Sequence, residues 1–192
     1  CKLESRYFFN KEEKNKQLVS NIKVAPSNSA FIKSRLDVIS LSEDYATLIH
    51  KIKKENICIE GFKVEYLVFD RDTTEYRERL NKLKDIGWSI EGIPDYYNPI
   101  ITYALCYYEG IWYFGILTKD HFAWHQHKKK PCSYSNSISI SIAKALVNIA
   151  AKANKEKKLL DACCGVGTIM LEACFSRNNI EGCDINEKIC KD

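Results

Sequence analysis

The chain has 192 residues, 45% of them hydrophobic, with a formal net charge of +4. That is enough for one large domain or two small ones with buried cores, and the modest positive charge permits an anionic partner without demanding one. No apolar run nears the roughly 18 residues of a membrane span, and the charged start CKLESRYFFNKEEKNK has no signal-peptide core, so a cytoplasmic protein with no membrane partner is expected. The first residue is Cys1 rather than Met, so the true beginning is expected to lie upstream. Nine cysteines, Cys1, Cys58, Cys106, Cys132, Cys163, Cys164, Cys174, Cys183 and Cys190, form no C-x-x-C pair and are odd in number. They read as free, mostly buried thiols in a reducing compartment, not as a disulfide framework or a metal site.

The first half alternates strand and helix signals. RLDVISL (Arg35 to Leu41) is a short β-rich run, and Ser42 offers a cap for a helix with Tyr45, Leu48, Ile49 and Ile52 on one face. FKVEYLVFD (Phe62 to Asp70) is a second strand. Asp72, Thr73 or Thr74 is placed to cap a helix striped by Tyr76, Leu80, Leu83 and Ile86. ITYALCYYEGIWYFGIL (Ile101 to Leu117) then reads as a hairpin turning at Glu109-Gly110. Its alternate aromatics suit a sheet core better than a base-stacking platform. Residues 1–118 are therefore expected to form an α+β domain of ferredoxin-like character.

TKDHFAWHQHKKKPCSYSNS (Thr118 to Ser137) breaks the pattern: it is polar, basic and aromatic, and residues 119–137 read as a linker. His121, His125 and His127 would suggest a metal site, but the glutamate of the zinc protease motif is missing and Lys128 to Lys130 would repel a cation. An RNA-facing segment fits the composition better, with a plain linker as the bland alternative.

From residue 138 the reading becomes doubly wound. SISIAKALVNIAAKANK is an amphipathic helix led by Ile142, Leu146 and Ile149, with Ala143, Val147 and Ala150 beside them. KKLLDACCG is then a buried strand, GTIMLEACFSR a helix and IEGCDIN a second strand, the β-α-β opening of a parallel sheet. Gly165 and Gly167 supply two glycines of the dinucleotide fingerprint, but Met170 stands where the third belongs, and no G-K-[ST] follows for a nucleoside triphosphate. S-adenosylmethionine has no phosphate and needs only close backbone approach, which the glycines allow. Asp161 would balance its amino group and Asp184 would accept from its ribose hydroxyls. A tight glycine turn without any ligand is the alternative.

DACCGVGTIMLEA also resembles the D-x-x-C-G-x-G-T-x-x-x-E-A signature of the RNA methylases often fused to THUMP domains, which include tRNA guanosine-N2 methyltransferases. HKKKPCSYSNSISISIAKALVNIA is similar to the family's H-x-x-K-P-x-x-Y-S segment and following helix, and GCDIN to its second-strand motif. The resemblance spans Phe122 to Asn186. It implies a THUMP-like RNA-binding front domain and the start of a Rossmann-like methyltransferase domain over residues 138–192. It implies a donor site of Asp161, Cys163, Gly165, Gly167, Thr168 (as the helix cap), Asp184 and Ile185, and a tRNA substrate. Glu172 matches the family's helix acid, and Tyr134 and Ser135 its preceding segment. His125, His127, Lys128, Lys129, Lys130 and Tyr134 become the RNA-facing residues.

One part of the family pattern does not occur. The D/N-P-P-Y-like motif that binds the target amine is not found after Asp184, and YYNPII (Tyr96 to Ile101) has one proline and fits a turn. The chain is accordingly expected to be a fragment, its catalytic residues elsewhere. A non-catalytic RNA-binding protein with a vestigial donor pocket and a DNA adenine-N6 methyltransferase are the competing readings.

Overall fold

The computed structural model describes residues 2–70, 72–121, 127, 137–151 and 158–187. In chain order its elements are α1 (Lys2–Phe9), a 3-10 turn (Pro26–Asn28), β1 (Ser34–Ser42), α2 (Tyr45–Lys54), β2 (Phe62–Leu67), α3 (Tyr76–Gly87), β3 (Ile101–Tyr108), β4 (Ile111–Lys119), α4 (Ile140–Ala151), β5 (Lys158–Asp161), α5 (Thr168–Phe175) and β6 (Asn179–Gly182). These form a mixed α/β chain of two compact units: Ser34–Lys119, and Cys1–Lys33 together with Asp120–Asp192. The two units meet in sequence between Lys119 and Asp120, and the first 33 residues group with the second half of the chain.

In the unit Ser34–Lys119 the sheet runs β1-β4-β3-β2. β1 and β3 pair antiparallel with β4, and β2 pairs parallel with β3. The expected ferredoxin-like order, β-α-β-β-α-β, is not what forms; the order is β-α-β-α-β-β. The helical stripe after β2 forces a crossover, and a crossover returns the chain parallel to the strand it left. Only then comes the hairpin. Its two loop residues, Glu109 and Gly110, both take positive φ, 49° and 85°, which a two-residue turn between twisted strands requires.

Two helix starts shift from expectation. Asp44, not Ser42, caps α2 by accepting from the Thr47 backbone N–H at 2.7 Å. The position before α3 is Glu75, with no side-chain cap bond. Leu48, Ile52, Phe62, Ile86, Ile90, Tyr103, Leu105, Trp112 and Phe114 form the core. Tyr103 and Phe114 stack at 5.4 Å, so the hairpin aromatics fill the sheet's interior. The α3 stripe is only half used: Ile86 is fully buried, but Tyr76 and Leu80 face solvent. Gly115 lies against the irregular stretch of β1 near Val38, where a Cβ would strike the Asp37 carbonyl.

The second unit joins the chain's two ends through polar groups. The Glu4 carboxylate on α1 is buried and accepts from Ser29 Oγ at 2.8 Å, the Ala30 N–H at 3.2 Å and Asn148 Nδ2 at 2.8 Å. Lys144 donates to the Ser27 carbonyl at 2.8 Å, one helical turn before Asn148, so both reach the same segment from one side of α4. This reverses the expected face of α4. Ala143, Val147 and Ala151 are buried, while Ile142 and Leu146 are exposed. Small residues let neighbouring backbone come close enough for these hydrogen bonds, which Ile and Leu would hold apart. β5 and β6 pair in parallel with α5 between them, giving the β-α-β unit the sequence predicts.

Candidate methyl-donor site

The site candidates gather where β5 and β6 end. Leu159 and Leu160 carry β5 to Asp161, and beyond the last strand pair the ladder continues irregularly: the Cys183 N–H donates to the Asp161 carbonyl at 2.9 Å and the Cys164 N–H to the Cys183 carbonyl at 3.0 Å. This ties the start of the glycine loop to the residue before Asp184. Both acids therefore stand at the carboxyl ends of adjacent parallel strands, the edge where such sheets bind ligands.

The loop itself is a left-handed device. Gly165 has φ 50° and Gly167 φ 71°, backbone that L side chains rarely take. Gly167, not Thr168, holds the cap position of α5; Thr168 is the first helical residue and is buried. A Cβ placed on Gly165 would meet nothing within 4 Å, so the loop presents bare backbone to open space. At Gly182 the reverse holds, because a Cβ there would collide with Met170. That explains the methionine at the third glycine position: the close helix–strand approach is kept, with the small residue on β6 instead of α5.

Asp184 is fixed by the loop. Its Oδ1 accepts from the Asn186 N–H and its Oδ2 from the Gly165 N–H, each at 2.9 Å. These backbone donors, Asn186 first and Gly165 second, hold its carboxyl below the usual carboxylate range. At neutral pH it is an anion, acceptor only, with lone pairs left for further donors. The Asp161 carboxylate accepts from the Cys163 N–H at 3.3 Å. Cys163 is exposed, and Ile185 is fully exposed beside Asp184.

The RNA-facing candidates fare differently. His125, Lys128, Lys129, Lys130 and Tyr134 lie outside the described residues, as does Ser135. His127 is described, and its Nδ1 lies 2.7 Å from Glu172 Oε1. Asn98-Pro99, the amine-motif look-alike, sits in a turn where Asp95 accepts from the Tyr97 and Asn98 N–H groups. Of the described cysteines only Cys106 is buried; Cys58, Cys163, Cys174 and Cys183 are exposed free thiols, which corrects the expectation of mostly buried ones. Among the described residues no group of three or more His, Cys, Asp or Glu is arranged to hold a metal ion, and no helix is long and apolar enough to cross a membrane. Sequence reasoning missed the buried charges Glu4 and Lys144. The signal available was a lysine and an asparagine four residues apart in the apolar run IAKALVNIA.

Residues 127–191 match the family described as RMKL-like, methyltransferase domain. This part of the chain is therefore similar to that family's methyltransferase domain. A stretch covering 38% of the chain is 31% identical to a tRNA (guanine(10)-N2)-dimethyltransferase of Methanothermobacter thermautotrophicus, and covers 21% of that protein. Among solved structures, TrmN from Thermus thermophilus aligns over 84% of this chain and 52% of its own, at 12% identity and a TM-score of 0.41. A predicted N6-adenine-specific DNA methylase from Listeria monocytogenes aligns over 80% and 54%, at 12% identity and a TM-score of 0.35. The chain thus spans about a fifth of the curated relative (21%) and about half of TrmN (52%). The family match spans the whole glycine loop, from Asp161 through Thr168.

Proposed function

We propose that the protein is an S-adenosylmethionine-dependent methyltransferase of the cytoplasm whose substrate is the exocyclic N2 amine of a guanine in tRNA. One observation carries the donor: an anionic Asp184, pinned by the Gly165 N–H, borders a glycine turn whose Cβ side is open. When bound, S-adenosylmethionine supplies an electrophilic methyl group on a sulfonium. The ribose hydroxyls would be accepted by Asp184 and the amino group balanced by Asp161. The backbone at Gly165 and Gly167 and the small Cys163 would leave room for the ligand, and the exposed Ile185 offers apolar cover for the adenine. Thr168 would line the loop from the start of α5.

The substrate assignment follows the curated relative, which acts on a tRNA guanine N2. In this reading the α+β unit Ser34–Lys119 is a THUMP-like RNA-binding module, and the basic segment with His125, Lys128, Lys129, Lys130 and Tyr134 contacts RNA. The motif that aligns the amine is supplied outside these 192 residues. The residues described here bind and orient the donor; alignment of the amine with the methyl group is where the rate of such a transfer is gained.

The test is transfer of label from methyl-tritiated S-adenosylmethionine by the whole protein, with bulk tRNA and duplex DNA in parallel. N2-methylguanosine in the digested tRNA is the expected product. Label recovered as N6-methyladenine in DNA would replace the substrate assignment. Donor binding without transfer to either would leave a non-catalytic RNA-binding protein with a vestigial pocket. D184A removes charge-assisted hydrogen bonds of about 1.5–3 kcal/mol each, so donor affinity should fall at least about tenfold.

A further inference from the structure

Glu172 sits in the middle of α5 with only 1% of its surface exposed. A carboxylate so enclosed must be hydrogen-bonded and charge-balanced. His127 provides the hydrogen bond, Nδ1 to Oε1 at 2.7 Å, and the buried Lys144 ammonium acts on it electrostatically. The imidazole also lies flat on Phe175, with centroids 3.6 Å and planes 6° apart. Glu172 and Phe175 are three residues apart, so they share one face of the helix. A single side chain, itself only 16% exposed, thus grips α5 over adjacent turns, and both its ring face and its Nδ1 edge are engaged within the protein.

What α5 carries makes the grip consequential. The helix is eight residues long and begins at the left-handed Gly167, the end of the donor loop. Glu172 is about 6 Å along the axis from Thr168, so a shift or rotation of the helix at Glu172 is passed to the turn Cys164–Thr168 almost undiminished. The Gly165 N–H that holds Asp184 belongs to that turn.

We propose that His127 is a positioning residue for the methyl-donor site, acting through its Nδ1 hydrogen bond to Glu172 rather than by touching RNA. The inference rests on the donor-site reading above. Two variants separate the hydrogen bond from every other property of the ring. In H127N the side-chain amide nitrogen falls near the place of Nδ1, whereas in H127Q it falls near that of Nε2. Both variants are polar and both lose the stack on Phe175.

S-adenosylmethionine binding by the whole protein is measured for wild type, H127N and H127Q by equilibrium dialysis, alongside thermal melting and methyl transfer to bulk tRNA. H127Q should bind the donor about tenfold more weakly and H127N within about threefold of wild type, with cooperative melting kept in both. The KM for the donor should rise in H127Q while kcat is held, the pattern of lost uniform binding. Equal affinities in all three proteins, or equal losses in both variants, overturn the proposal. A loss in H127Q that accompanies non-cooperative melting also overturns it, because the effect is then general. If wild type itself binds no donor, the donor-site reading falls first and the positioning role with it.

Discussion

The two units of this chain bury their interiors by opposite means. Ser34–Lys119 closes over large apolar side chains, with Tyr103 stacked on Phe114 and Leu48, Ile52 and Ile86 sealed from solvent. The unit built from the chain's ends hides Glu4, Ser29, Lys144 and Glu172 among small residues such as Ala143, Val147 and Ala173, while Leu160, Ile142 and Leu146 remain exposed. An apolar core gains stability in proportion to area and tolerates approximate fit. A buried polar network depends on each partner being present. The first arrangement suits a scaffold; the second fixes the position of individual groups, which a ligand site requires.

The comparison can be broken most forcefully in the scaffold. F114A removes a fully buried ring and should cost about 3–5 kcal/mol, read as a large fall in the melting temperature of Ser34–Lys119. In the other unit, E4A removes one carboxylate and leaves Ser29 Oγ and Asn148 Nδ2 without that acceptor. The expected cost is about 1–3 kcal/mol, with faster amide exchange in α1 and around Ser29 as the local signature. If E4A were silent, the contrast between the units would fail.

Smaller effects sharpen it. G165A should leave folding nearly intact, at about 1–2 kcal/mol for a left-handed alanine, yet lower donor affinity tenfold or more, because its new methyl enters the open space beside the loop. Titrating binding across a melting-matched series checks this. Alkylation offers a probe without mutation. Burial, and secondarily the charge of Asp72, pushes the Cys106 thiol up to about 12, so iodoacetamide at pH 8 should spare it in the folded protein. The exposed Cys58 and Cys163 should react, and S-adenosylmethionine should slow Cys163 alone.

The smallest effect concerns acid. The folded-state pKa of Asp184 is depressed, so its contribution is present above the unfolded carboxylate value and is lost as pH falls through the folded one. Donor binding should therefore hold at pH 5 and weaken only below the ordinary carboxylate range. A midpoint near pH 6, followed by dialysis, would rule out Asp184 as the titrating group.

Legibility followed the range of the forces involved. Periodicity placed β1, α2, β2, α3 and the hairpin to within a few residues, because local burial patterns set them. Helix starts were less readable: Asp44 displaced Ser42 by geometry that only the backbone shows. The buried face of α4 was unreadable for a related reason. Ile142 and Leu146 looked like the buried side by hydrophobicity, but the hydrogen bonds of Lys144 and Asn148 to residues more than a hundred positions away chose the other side. The pair of His127 and Glu172, 45 residues apart, was likewise invisible to any local pattern.

The sequence by itself determined the alternation of strand and helix, the β-α-β unit, the glycine loop and the acids Asp161 and Asp184 at the strand ends, since each depends on neighbours within a few turns of chain. Tertiary structure alone decided that residues 1–33 group with residues 120–192 and that Glu172 is held by His127. Those outcomes rest on buried polar groups finding partners at long range, and a partner's identity is not encoded in the residues next door.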